Sequence, residues 1–175
     1  VMTAIASLSA AELAPLYASR ELSPLEVAKD ALARIERFEP QVNAFVVRDD
    51  KVPLAMAQDA EARWLKGAPL GPLDGVPVTI KDNLGVAGWP MRRGSAVASD
   101  APFAADSPAV ARLREAGCVF LGKTTMPEYG WKGVGDSPLT GITRNPWDVA
   151  TGPGGSSSGA AAAAALNLGC IYLGT

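Results

Sequence analysis

The chain has 175 residues, with 16 Lys and Arg, 18 Asp and Glu, no histidine and a formal charge of −2 at pH 7. That length fits one domain, and 48% hydrophobic residues suffice to fill a core. The absence of histidine excludes Ser-His-Asp and Cys-His mechanisms built from these residues and removes the commonest zinc ligand, so chemistry falls to Lys, Ser, Thr, Asp, Glu or Tyr.

A slightly acidic chain without a basic cluster has no electrostatic footprint for nucleic acid. Charged residues make up 19%, below the roughly 25% usual for soluble domains, which leaves surface to bury against something else. The two cysteines, Cys118 and Cys170, match neither a metal spacing nor a disulfide framework, and their apolar surroundings suggest buried, reduced thiols. The N-terminal stretch 1–14 has no basic residue before its short apolar run and reads poorly as a signal peptide. No run approaches the roughly 18 apolar residues of a membrane span. The expectation is a soluble, cytoplasmic protein without a membrane partner.

Two helices are expected in the first 50 residues. Ser9 and Glu12 form a capping box opening a helix of about ten residues through Leu16 and Tyr17. Ser23, Pro24 and Glu26 repeat the signal, and Leu25, Ala28, Leu32, Ile35 and Phe38 recur at helical spacing until Pro40, which is expected to stop the run. From Gly67 the composition turns dense in Gly and Pro around a strand-like core, Val76 to Ile80. A helix capped by Ser107 and Pro108 and ended by Gly117 leads into the buried strand Cys118–Leu121. Residues 122–150 read as a long irregular surface stretch, a setting that often carries function. GPGGSSSG (152–159) opens an alanine-rich helix to Leu168, with Gly169 as its stop and a strand at 170–173. A sequence ending directly after a buried-type strand suggests that the domain continues and that this strand would otherwise be an exposed edge inviting association.

Three segments offer chemistry. Gly117 to Thr124 matches the P-loop pattern G-x-x-x-x-G-K-[ST], but the helix precedes it and an apolar strand fills the place of the phosphates, so nucleotide binding is disfavoured. Lys81 ends the apolar run Val-Pro-Val-Thr-Ile. Desolvation there would lower its pKa toward a neutral amine able to act as a base, whereas a surface Lys81–Asp82 pair is the plainer alternative. In GPGGSSSG, Ser156 to Ser158 stand at a helix N-terminus, where free N–H groups favour negative charge; the alternative is a flexible loop with a capping serine. A neutral lysine and clustered serines without histidine suggest Ser–Lys nucleophilic catalysis.

With GVPVTIKDN (75–83), TRNPWD (143–148) and PGGSSSGAAAAAA (153–165) running into LGT (173–175), the chain resembles the amidase signature family of Ser–cis-Ser–Lys hydrolases. The N-terminal helical pair and GKTTMPEYG (122–130) belong to the same resemblance, which covers nearly the whole sequence. It implies an α/β fold with a mixed central sheet flanked by helices. Residues 1–175 would be the N-terminal part of a single amidase domain, 1–50 a helical segment and 67–175 the start of the α/β core.

By the same resemblance Lys81 is the catalytic base, and Ser156, behind a cis Gly155–Ser156 peptide, is the bridging serine. The nucleophilic serine would fall near position 180, beyond these residues and together with the oxyanion hole, so the 175 residues alone are expected to be inactive. Tyr129, Gly130, Trp131 and Ser157 are candidates for the substrate pocket. No metal or organic cofactor is implied. Thr151 and Gly152 replace an arginine and a Ser or Thr frequent in the family, whereas Ser158 stands for a glycine. The implied reaction is hydrolysis of a small-molecule carboxylic amide to carboxylate and ammonia or amine through a seryl ester, with a homodimer as one option. Two rival readings are a glutaminase subunit of a tRNA-dependent amidotransferase, which needs partner chains, and a non-catalytic fragment whose loop holds an anion.

Overall fold

The structure, a computed structural model, describes residues 4–175, so the stretch read for a targeting segment begins outside the described residues. Helix α1 (Ala10–Ser19) starts where Glu12 accepts a hydrogen bond from Ser9 N at 2.8 Å. Helix α2 (Pro24–Val42) starts with the reciprocal pair expected at Ser23: Glu26 N donates to Ser23 Oγ (3.2 Å) and Ser23 N to Glu26 Oε2 (2.8 Å).

Contrary to expectation, α2 does not stop at Pro40. That residue sits exposed in the last turn, where a missing N–H forfeits a single bond, and the helix runs on to Val42. Asn43 ends it at φ +51°, the left-handed conformation asparagine tolerates. The Glu39 carboxylate then accepts from Ala44 N and Phe45 N, both at 2.9 Å, and turns the chain into strand β1 (Phe45–Val47).

The first 50 residues are therefore not helical alone, because β1 joins the central sheet. Three residues are too few for a period-2 pattern to be read, and their pairing is set by a distant strand. Helix α3 (Lys51–Leu65) was not anticipated either; its fully buried positions are small residues, Ala57 and Ala60 with Pro53, flanked by the part-buried Val52, Met56 and Trp64 that also pack on the core.

Strand β2 (Pro77–Lys81), helix α4 (Pro108–Glu115) and strand β3 (Val119–Thr124) form the expected β-α-β passage, with β3 reaching three residues past Leu121. Residues 122–127 are thus buried rather than a surface stretch. Beyond them lies a two-stranded hairpin, β4 (Asp136–Ser137) with β5 (Gly141–Ile142). Helix α5 (Ser158–Ala165) and strand β6 (Ile171–Leu173) complete the order, α5 three residues shorter than read.

The sheet runs β1-β3-β2-β6, with β1 antiparallel to β3 and β2 parallel to both β3 and β6, so the α/β class with a mixed, helix-flanked sheet holds. Alternation divides the core. Val119 and Leu121 pack with Ala28, Ala31 and Ile35 of α2 and Ala162 and Ala163 of α5. Val78, Ile80 and Phe120 pack with Val110 of α4 and with Val86 and Trp89 on the other face. Gly122 sits at a register shift, where a Cβ would come 2.5 Å from Val47 O.

Candidate active site

Lys81 closes β2, in step with Thr79 and opposite to Ile80, and is fully buried. Its amine donates to Ser156 Oγ at 2.8 Å, to Ser157 Oγ at 3.1 Å and to Thr175 Oγ1 at 2.8 Å. Both serines lie in the turn entering α5, with Ser157 as N-cap. Two glycines let that turn pack closely, Gly159 beside the sheet and Gly155 against the 133–134 segment. A Cβ at Gly159 would lie 2.2 Å from Ala44 O and 2.5 Å from Thr125 N, and one at Gly155 would lie 2.9 Å from Val134 N. Gly159 N donates to Thr125 O at 3.1 Å, which anchors the first turn of the helix beside the end of β3. The Gly155–Ser156 peptide is cis.

Burial lowers the Lys81 pKa from its ordinary value, since the desolvated ammonium is the disfavoured form. No Asp or Glu among the described residues forms an ion pair with it; its partners are three hydroxyls and, at 3.5 Å, the Thr175 carbonyl. The alternative of a surface Lys81–Asp82 pair is therefore overturned. Asp82 pairs instead with Lys123 (2.8 Å), and both are buried. Lys123 also donates to Pro90 O at 2.7 Å and to Asp82 O at 3.3 Å. The lysine of the P-loop lookalike is thus a buried counter-ion inside β3; that the helix precedes the motif and a strand fills it is as the sequence suggested.

Of the remaining candidates, Gly130 alone is placed directly against Ser156, and the cavity that Tyr129 and Trp131 line has neither Lys81 nor Ser156 in its wall. Gly130 backs Ser156, a Cβ there falling 3.7 Å from Ser156 Oγ. Tyr129 and Trp131 line a cavity of about 560 Å³ together with Glu128, Lys132, Asp136, Ser137 and Pro138. Trp131 is 88% exposed on its rim. Thr151 donates to Asp148 O (2.9 Å) and closes a local turn.

Sequence reading missed two groups of the cluster: Thr175, whose hydroxyl meets Lys81, and Asn83, whose Nδ2 donates to Thr175 Oγ1 at 3.1 Å. Both stand within the motifs quoted above, but only the parallel pairing of β2 with β6 carries Thr175 to Lys81. Cys118 is buried and Cys170 only partly so. Both are free, and burial pushes each thiol up to about 11, which keeps it protonated near neutral pH. Among the described residues no three potential metal ligands come together, and no helix is long and apolar enough to cross a membrane.

A mixed α/β sheet with a desolvated lysine at a strand end, meeting a serine beside a helix N-terminus, defines a lysine–serine site on an α/β scaffold. The family model described as Amidase matches residues 26–175, and the chain belongs to that family. It is 44% identical over 164 residues to a glutamyl-tRNA(Gln) amidotransferase subunit of Salinispora tropica, covering 94% of this chain and 33% of that protein. It is 42% identical over 168 residues to an acylamidase of Rhodococcus erythropolis, covering 96% and 35%. Native peptide amidase from Stenotrophomonas maltophilia superposes with a TM-score of 0.85 at 31% identity, over 93% of this chain and 35% of that one. The chain thus spans about a third of the length of the relatives it matches.

Proposed function

We propose that this chain supplies the base and the bridging serine of an amide-hydrolysing site, as the N-terminal part of a single amidase domain. The observation that carries the reading is the 2.8 Å contact between the buried Lys81 amine and Ser156 Oγ, in surroundings that favour the neutral amine. Neutral Lys81 takes the Ser156 proton through its lone pair. Ser156 in turn takes the proton of a second serine, expected near position 180. That oxygen attacks the amide carbon, the relay returns the proton to the departing nitrogen, and water cleaves the seryl ester to free the carboxylate. Ser157 and Thr175 hold the amine from its other sides, Gly130 leaves room beside Ser156, and Tyr129 and Trp131 form a wall for the amide's substituent. A cytoplasmic setting and a homodimer go with this reading as proposals.

The test is ammonia or amine release by the full-length protein. Lys81→Ala and Ser156→Ala should each lower kcat by about 10³-fold or more. Because desolvation lowers the Lys81 pKa and its neutral form is the active one, kcat/KM should rise with pH along a limb below the ordinary lysine range. Turnover that survives Lys81→Ala would overturn Lys81 as the base, and a full-length protein that releases no ammonia or amine at all would favour a loop that merely holds an anion.

A second reading, a glutaminase component of a multi-subunit amidotransferase, is favoured by the 44% identity to the Salinispora protein. Glutamine turnover that appears only when partner proteins are added would select it.

A further inference from the structure

Two lysines are fully buried on neighbouring strands, and their partners differ in kind. Ile80 pairs in register with Lys123, and Lys81 with Thr124, so the two amines stand one register step apart and on opposite faces of the sheet. Lys123 has a carboxylate, Asp82, which directly follows Lys81 in the chain. Lys81 has no carboxylate side chain, only three hydroxyls and, at 3.5 Å, the Thr175 carbonyl. We infer that the Asp82–Lys123 ion pair is a positioning device for the proposed site: it fixes the strand end that carries Lys81 and holds the field there near neutral, so that Lys81 remains free to lose its proton. The inference rests on Lys81 being the base.

The positioning is visible in the hydrogen bonds. Asp82 N donates to Thr124 O (3.1 Å), Leu84 N to Lys81 O (3.0 Å) and Gly94 N to Asp82 Oδ2 (3.3 Å). With Lys123 reaching Pro90 O, one ion pair ties the ends of β2 and β3 to the 90–94 loop. Charge matters as much as geometry. The groups facing the Lys81 amine are Ser156 and Ser157 before α5, Thr175 after β6, and Asn83 through Thr175; α5 and β6 carry no ionisable side chain except Tyr172. On the other face, Arg93 acts on Lys123, and Arg92 and Asp100 border the same 250 Å³ hollow as Asp82. If the pair were split, an unscreened buried charge would remain one residue from Lys81.

The experiment follows the Lys81 amine directly by NMR of ε-13C-lysine-labelled full-length protein, alongside the pH profile of amide turnover. Lys123→Met leaves the Asp82 anion alone and should move the Lys81 titration upward. Asp82→Asn leaves the Lys123 cation alone and should move it downward. Each shift should be on the order of 0.5–1 pH unit. The double variant, which loses both charges, should titrate within about 0.3 unit of the wild type, and it tests the idea even where a single variant fails to fold. Singles that leave the midpoint in place or move it in the same direction, or a double variant that shifts it, would overturn the inference. Shifts as expected in a protein that releases no amine would instead sink the hydrolase reading, leaving the charge coupling between the ion pair and Lys81 but no site for it to serve.

Discussion

Segments 117–124 and 152–159 are both glycine-bearing stretches beside a helix, and both match patterns associated with anion or acyl handling. In the first, the glycines end a helix and ease a bulge, and the lysine turns inward to a carboxylate. In the second, Gly159 brings a turn of serines against the sheet, where a lysine without a carboxylate meets them. The difference lies in what stands opposite. A buried lysine facing Asp82 is structural, whereas one facing hydroxyls can change its protonation state.

This contrast can be broken by mutation. The largest effect on stability is expected at the lookalike: Lys123→Met strands the Asp82 carboxylate and should cost about 3–5 kcal/mol in urea unfolding of the full-length protein. Mg-ATP should give the wild type no thermal stabilisation; a saturable rise in Tm would restore the nucleotide reading. In the serine segment, Gly159→Ala drives a Cβ into Ala44 O and should cost about 1–3 kcal/mol with a matching loss of turnover. A loss of stability without loss of turnover would show that the serine turn does not depend on that close approach. Ser23→Ala, remote from both segments, removes one exposed cap and should cost about 1 kcal/mol with kcat unchanged, which sets the scale for the other two.

Much of this was legible beforehand for reasons that can be named. Capping boxes at Ser9 and Ser23, the proline at 108 and the apolar runs at 76–80 and 118–121 are local signals, and they marked α1, α2, α4, β2 and β3. What escaped reading depends on distant partners. Strand β1 exists because Phe45 and Val47 pair with Thr124 and Lys123, and α3 because Ala57 and Ala60, with Val52, Met56 and Trp64 beside them, fit against distant parts of the core. Lys81 and Ser156 stood out by residue type and setting, with roles supplied by resemblance. The choice of Asp82 for Lys123 rather than for its chain neighbour could not be read, because it turns on which face of the sheet each side chain takes.

The strand order also governs how the chain acquires its shape. Strand β2 sits between β3, the next strand of its sheet in the chain, and β6, the latest of the strands described, while β1 waits for β3. Lys81 meets Ser156 across 75 residues, and Arg34 of α2 donates to Leu166 O across 132. Contacts of such separation carry a large loop-closure entropy before any packing rewards it. A ribosome must therefore release the α5 segment before the lysine finds its serine. Until then β2 has an unpaired edge, and a nascent chain held at that stage is the form in which a chaperone would have most to protect.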